Sequence, residues 1–101
     1  MSVPFQSVDN IFDRADEDTP TPGLGEFRNE SDRDFTSMIY ICPCGCGQLR
    51  CIHVREPLKS HGDHVWGWNG DQDKPTLTPS IQHRDLCEWH GWLKDGQFKS
   101  C

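Results

Sequence analysis

Thr36-Ser37-Met38-Ile39-Tyr40-Ile41 runs directly into Cys42-Pro43-Cys44-Gly45-Cys46-Gly47, and Gln48-Leu49-Arg50-Cys51-Ile52-His53-Val54-Arg55 follows. The first block is apolar and rich in residues that suit a pleated, half-buried surface. The last alternates, with Leu49, Cys51 and His53 on one face and Arg50, Ile52 and Val54 on the other. The Gly- and Pro-rich segment between them reads as a turn. Together they predict a hairpin with three cysteines at its tip.

Working outward, His64–Asn69 (HVWGWN) is a further strand candidate, and Asn69-Gly70 is a turn signal. Pro75 and Pro79 bracket Thr76–Thr78 and confine that stretch to an edge strand or extended loop. Trp89–Lys94 and Gln97–Ser100 flank Asp95-Gly96, a second compact hairpin signal. No long helix and no internal repeat is legible in residues 36–101. The expected fold is small and β-rich, with zinc-ribbon-like hairpins stapled by one metal.

Upstream, the chemistry changes. Residues 1–35 hold nine acids against three arginines, which accounts for the whole net charge of −6 of the 101-residue chain. Asp16-Glu17-Asp18 is followed by Thr19-Pro20-Thr21-Pro22-Gly23, a composition that favours an extended path. Phe5, Val8, Ile11 and Phe12 have the spacing of a short amphipathic helix over residues 5–15, with Ser7 as its cap. So short a helix needs a partner surface. The expectation is an acidic arm, 1–35, largely extended or disordered, ahead of a module, 36–101. All six Cys, five His and four Trp lie in the module.

The acidic balance argues against a nucleic-acid surface. No apolar run is long enough for a membrane-spanning helix, and MSVPFQSVDN lacks the basic and apolar regions of a signal peptide. The cytoplasm is the expected location, where six cysteines point to metal or free thiols rather than disulfides. Leu, Ile, Val and Phe together number only 20, so a staple is expected.

The candidate ligands fall into two clusters. One is Cys42, Cys44 and Cys46; the other is Cys87 and His90 in Cys87-Glu88-Trp89-His90. Zn²⁺ takes four tetrahedral Cys or His ligands in structural sites. Two from each cluster would hold one ion, and spacing leaves open which tip cysteines contribute. Cys51, on the Leu49 face, reads as a buried inert thiol, and Cys101 as a thiol on a frayed end. His61 and His64, in H-x-x-H, are candidates for a base beside the metal. Asp71 and Asp73 lack calcium-loop spacing and read as a turn. The four Trp read as core and as a shield for the metal. Thr76, Thr78 and Ser80 show no evident His–Asp partner pattern, so no nucleophile triad is read.

Two stretches carry a resemblance. Trp66–Ile81 (WGWNGDQDKPTLTPSI) and Cys87–Phe98 (CEWHGWLKDGQF), with Cys42–Gly47 (CPCGCG) upstream, resemble a family of short phage and bacterial proteins of unassigned function. Some of its members carry the label "ammonia monooxygenase", and nothing in this chain suggests a membrane copper oxygenase. The resemblance spans residues 38–98. It implies a zinc site at Cys42 with Cys44 or Cys46, and at Cys87 and His90.

These readings lead to a zinc-stabilised binding or adaptor protein, phage-encoded by resemblance, whose partner is another protein. The alternatives are a zinc-dependent hydrolase using His61 or His64, and a nucleic-acid-binding zinc module with Arg50, Arg55 and Arg84 on phosphates.

Overall fold

A computed structural model describes residues 2–29, 35–59, 61, 65–83 and 87–100. In chain order the described elements are β1 (Ser2–Pro4), β2 (Gln6–Ser7), α1 (Ile11–Ala15), β3 (Leu24–Asn29), β4 (Thr36–Ile41), β5 (Leu49–Arg55), β6 (Val65–Trp68), β7 (Leu77–Thr78), β8 (Ile81–Gln82), β9 (His90–Lys94) and β10 (Gln97–Ser100). They form two sheets, β2-β3-β4-β5-β6-β7 and β1-β10-β9-β8. The small, β-rich expectation is met.

The central hairpin forms as its sequence predicts. β4 and β5 pair antiparallel from Thr36↔Val54 to Ile41↔Leu49. The Cys42 N–H then donates to the Gln48 carbonyl at 2.9 Å and closes the tip. Gly45 and Gly47 adopt φ of 91° and 79°, conformations that a Cβ disfavours. The three tip cysteines are thus held at one end of the longest hairpin.

β4 is covered on both faces. Met38 and Tyr40 join Phe5, Val54, Trp68, Leu77, Ile81, Trp89, Leu93 and Phe98 in the main core. Ile39 and Ile41 point the other way, into a smaller cluster with Ile11 and Leu24. A strand buried on both faces reads as a continuous apolar run rather than an alternation, as TSMIYI does.

That second cluster explains a difference from the expected arm. The described residues before position 30 form β1, β2, α1 and β3, and they pair with the rest of the chain. Ser2↔Lys99 starts the β1–β10 pairing, and β3 lies antiparallel to β4. Their acids other than the partly buried Glu26 are exposed, while Phe5, Ile11 and Leu24 are buried. Scattered apolar residues have no visible periodicity, yet each finds a gap in a thin core. The helix is also shorter than predicted and begins later. Asn10 rather than Ser7 caps it, with Asn10 Oδ1 accepting from the Phe12 N–H at 3.1 Å. Phe27 stacks on Trp68 with ring centroids 4.6 Å apart, tying β3 to the module's core.

Two turns contrast. Asp95-Gly96 is the predicted tight turn, both residues having positive φ, and Gln97 faces Lys94 across it. Asn69-Gly70 instead opens a longer loop. The Asn69 side chain accepts from the Asp71 and Thr76 N–H groups. The Asp71 carboxylate accepts from the Lys74 and Asp73 N–H groups, which hold its pKa below the ordinary value. The acidic turn is therefore self-satisfied. β7 takes the edge position expected between two prolines. Among the described residues, no helix is long and apolar enough to cross a membrane.

Candidate functional site

The hairpin β8–β9 carries two sites on opposite faces. Its register is Ile81↔Gly91 and Gln82↔His90. Ile81, His83, Gly91 and Leu93 are buried, whereas Gln82, His90, Trp92 and Lys94 are exposed. The alternation of a strand separates the two sets.

On the inner face, Cys42, Cys44, Cys46 and Cys87 place their four Sγ atoms within 4.8 Å of one another. Cys42 Sγ lies 3.2 Å from Cys44 Sγ and 3.4 Å from Cys87 Sγ. Four thiolates around one Zn²⁺ stand about 3.8 Å apart, given Zn–S bonds of about 2.3 Å. The donor set and its spacing therefore fit a tetrahedral, thiolate-rich metal site. All five described cysteines are free, consistent with ligands rather than disulfides.

Cys87 is prepared to be a thiolate. Burial alone would raise its pKa, but hydrogen bonds from the Trp89 backbone N–H, His83, Cys42 and Arg50 outweigh it and bring the thiol down to about 6. Arg50 Nη2 lies 3.1 Å from its sulfur, a cation placed where thiolates concentrate negative charge. Cys42, deeper in the core, is pushed well up by burial.

His83 was not anticipated. Its Nδ1 sits 3.2 Å from Cys87 Sγ and 3.6 Å from Cys42 Sγ. Its Nε2 is 2.8 Å from the Tyr40 hydroxyl in the buried core, and Trp89 packs against its ring. The clue available in the sequence was His83, four residues before Cys87.

The predicted ligand set is thus brought together in part. All three tip cysteines converge with Cys87, while His90 stands outside that cluster. Cys51 is exposed, because Ile52 and Val54 take the inward face of β5. His61 is occupied elsewhere: Nε2 lies 2.9 Å from the Arg55 carbonyl and 3.1 Å from the Pro57 carbonyl, and Nδ1 is 3.2 Å from Arg55 Nη2. His64, Arg84 and Cys101 lie outside the described residues. Trp68 and Trp89 are buried and Trp66 is partly buried, but Trp92 is 44% exposed.

On the outer face, Ser80 Oγ lies 3.0 Å from His90 Nε2. Ser80 leads into β8 and His90 opens β9, so the antiparallel register brings together residues ten apart. This is nucleophile-to-base distance; in the tautomer that carries its proton on Nδ1, Nε2 accepts from the serine hydroxyl. Among the described residues, Ser80 is the only side chain hydrogen-bonded to His90. The pair is a dyad. The pair leaves no pattern along the chain, because the contact is made across a hairpin.

No curated protein and no solved structure matches the chain. A family model described as "Bacterial ubiquitination-like system serine protease (BubE)" matches residues 12–101. That description overturns the expectation of a zinc-stabilised adaptor, which assigned His90 to the metal and left Ser80 without a partner. The match takes in most of the chain, including both cysteine segments, Ser80 and His90, and the chain belongs to this family of serine proteases.

Proposed function

We propose that this protein hydrolyses peptide bonds with Ser80 as nucleophile and His90 as general base, on a scaffold braced by one Zn²⁺ held by Cys42, Cys44, Cys46 and Cys87. The 3.0 Å contact between Ser80 Oγ and His90 Nε2 carries the reading. His90 Nε2 takes the hydroxyl proton as Oγ attacks the scissile carbonyl carbon. The imidazolium then gives that proton to the leaving amine as the carbon–nitrogen bond breaks. Water, deprotonated by the same imidazole, cleaves the acyl–serine ester and restores both side chains.

Zinc in an all-cysteine shell has no open position and supplies folding free energy rather than a nucleophile. Its place fits that role. Cys87 fixes the connection between β8 and β9, and the tip cysteines belong to the neighbouring sheet. One ion would thus pin the hairpin that presents Ser80 and His90. The substrate we propose is a protein of a ubiquitination-like system, in keeping with the family's description.

The test is hydrolysis of quenched fluorogenic peptides and labelled protein by the purified chain, beside Ser80→Ala and His90→Ala. Both variants should retain the wild-type circular dichroism spectrum and lose hydrolysis. Undiminished cleavage by folded Ser80→Ala protein would refute the assignment.

A further inference from the structure

A cleft of about 560 Å³ is walled in part by Trp92 and Lys94, on the same exposed face of β9 as His90, within the usual ~300–1,000 Å³ range of ligand clefts. Leu58, Leu77 and Trp92 give it apolar walls, and Thr78, Lys94 and Lys99 give it polar ones. Its position follows from strand alternation. Trp92 is two residues after His90 on the exposed side of β9. Lys94 continues the stripe, and Lys99 faces Trp92 across the β9–β10 pairing.

Leu58 and Trp92 are both 44% exposed. Neither lysine forms an ion pair among the described residues. In a chain of net charge −6, two unpaired cations beside an exposed tryptophan make a local site for an anionic group next to an apolar one.

We infer that this cleft is the specificity subsite of the Ser80–His90 centre, and that it takes an extended acidic peptide with a large apolar residue two positions from an Asp or Glu. The inference rests on the serine protease reading. Alternate residues of an extended chain share a face and stand about 6.8 Å apart, the same spacing that separates Trp92 from Lys94 along β9. An apolar side chain against Trp92 and Leu58 thus sets a carboxylate two residues away over Lys94, with Lys99 on its flank.

The experiment compares kcat/KM of the full chain on quenched decapeptides. Each holds a single Leu, with Asp, Asn or Lys two positions to either side. We expect Asp to exceed Lys by about fivefold or more, the order expected for two exposed ion pairs. The preference should reverse in Lys94→Glu/Lys99→Glu protein, and Trp92→Ala should lose discrimination between Leu and Ala at the apolar position. An unchanged order of substrates in these variants, or a wild-type preference for Lys, would overturn the inference.

Failure of the protease reading is read separately, by fluorescence polarisation of a labelled Leu-x-Asp peptide on Ser80→Ala protein. Binding that weakens on lysine reversal supports the subsite even where no protein cleaves. Absence of binding, or binding indifferent to the lysines, overturns it.

Discussion

Cys87 and His90 stand three residues apart and serve different sites: the sulfur of Cys87 joins Cys42, Cys44 and Cys46, while His90 hydrogen-bonds Ser80 at 3.0 Å. A C-x-x-H pair reads naturally as two ligands of one ion. Here the intervening strand start turns the second residue outward. This separates the cysteine cluster from the Ser80–His90 pair within a single hairpin.

The separation predicts the metal content of two variants. Cys87→Ser should lose bound zinc, and with it much of the folding free energy, which is on the order of 10 kcal/mol in small zinc modules. His90→Ala should keep one zinc per chain while losing hydrolysis. Elemental analysis of purified proteins checks both; a His90→Ala protein without zinc would return His90 to the metal.

Chelation should act on activity through structure. Stripping zinc with a strong chelator should abolish hydrolysis in parallel with the near-ultraviolet signal of the buried tryptophans, because Trp89 packs on His83 beside the cysteines. Full hydrolysis after complete zinc removal would show that the brace is dispensable.

The Tyr40–His83 contact should matter for stability. Both residues are buried and their polar atoms are 2.8 Å apart. Tyr40→Phe keeps the ring against Phe98 and leaves one nitrogen of His83 without its partner, at a cost of about 1–3 kcal/mol. Denaturant unfolding of the zinc-loaded protein measures it. A loss below the error of the method would remove this contact from the account.

The N-terminal segment should behave as core. Phe5 is 4% exposed and packs on Phe27 and Phe98, so Phe5→Ala should destabilise by about 3–5 kcal/mol. A flexible arm would show almost no change in the same unfolding experiment.

Much of this architecture was legible because strands announce themselves locally. TSMIYI, the alternation of Leu49–Arg55, and Asp95-Gly96 each carry their own signal, and β4, β5 and the β9–β10 hairpin follow them. The gathering of Cys87 with the tip cysteines was legible from zinc chemistry. What escaped depends on contacts between distant segments. Phe5 and Ile11 are buried only because β4 needs cover on both faces. Cys51 is exposed because the opposite face of β5 meets the core. Ser80 and His90 form no recognisable linear pattern, since the register of a two-residue strand brings them together. His83 reads as an ordinary polar residue until its two nitrogens are placed between Tyr40 and Cys87.

The most direct test of the central claim is labelling with a fluorophosphonate, which reacts covalently with an activated serine hydroxyl, followed by peptide mapping by mass spectrometry. The account predicts one adduct per chain, on Ser80, abolished by His90→Ala although the serine is still present. A wild-type protein that folds, binds zinc and takes no label at Ser80, or takes it on another serine, would contradict the account.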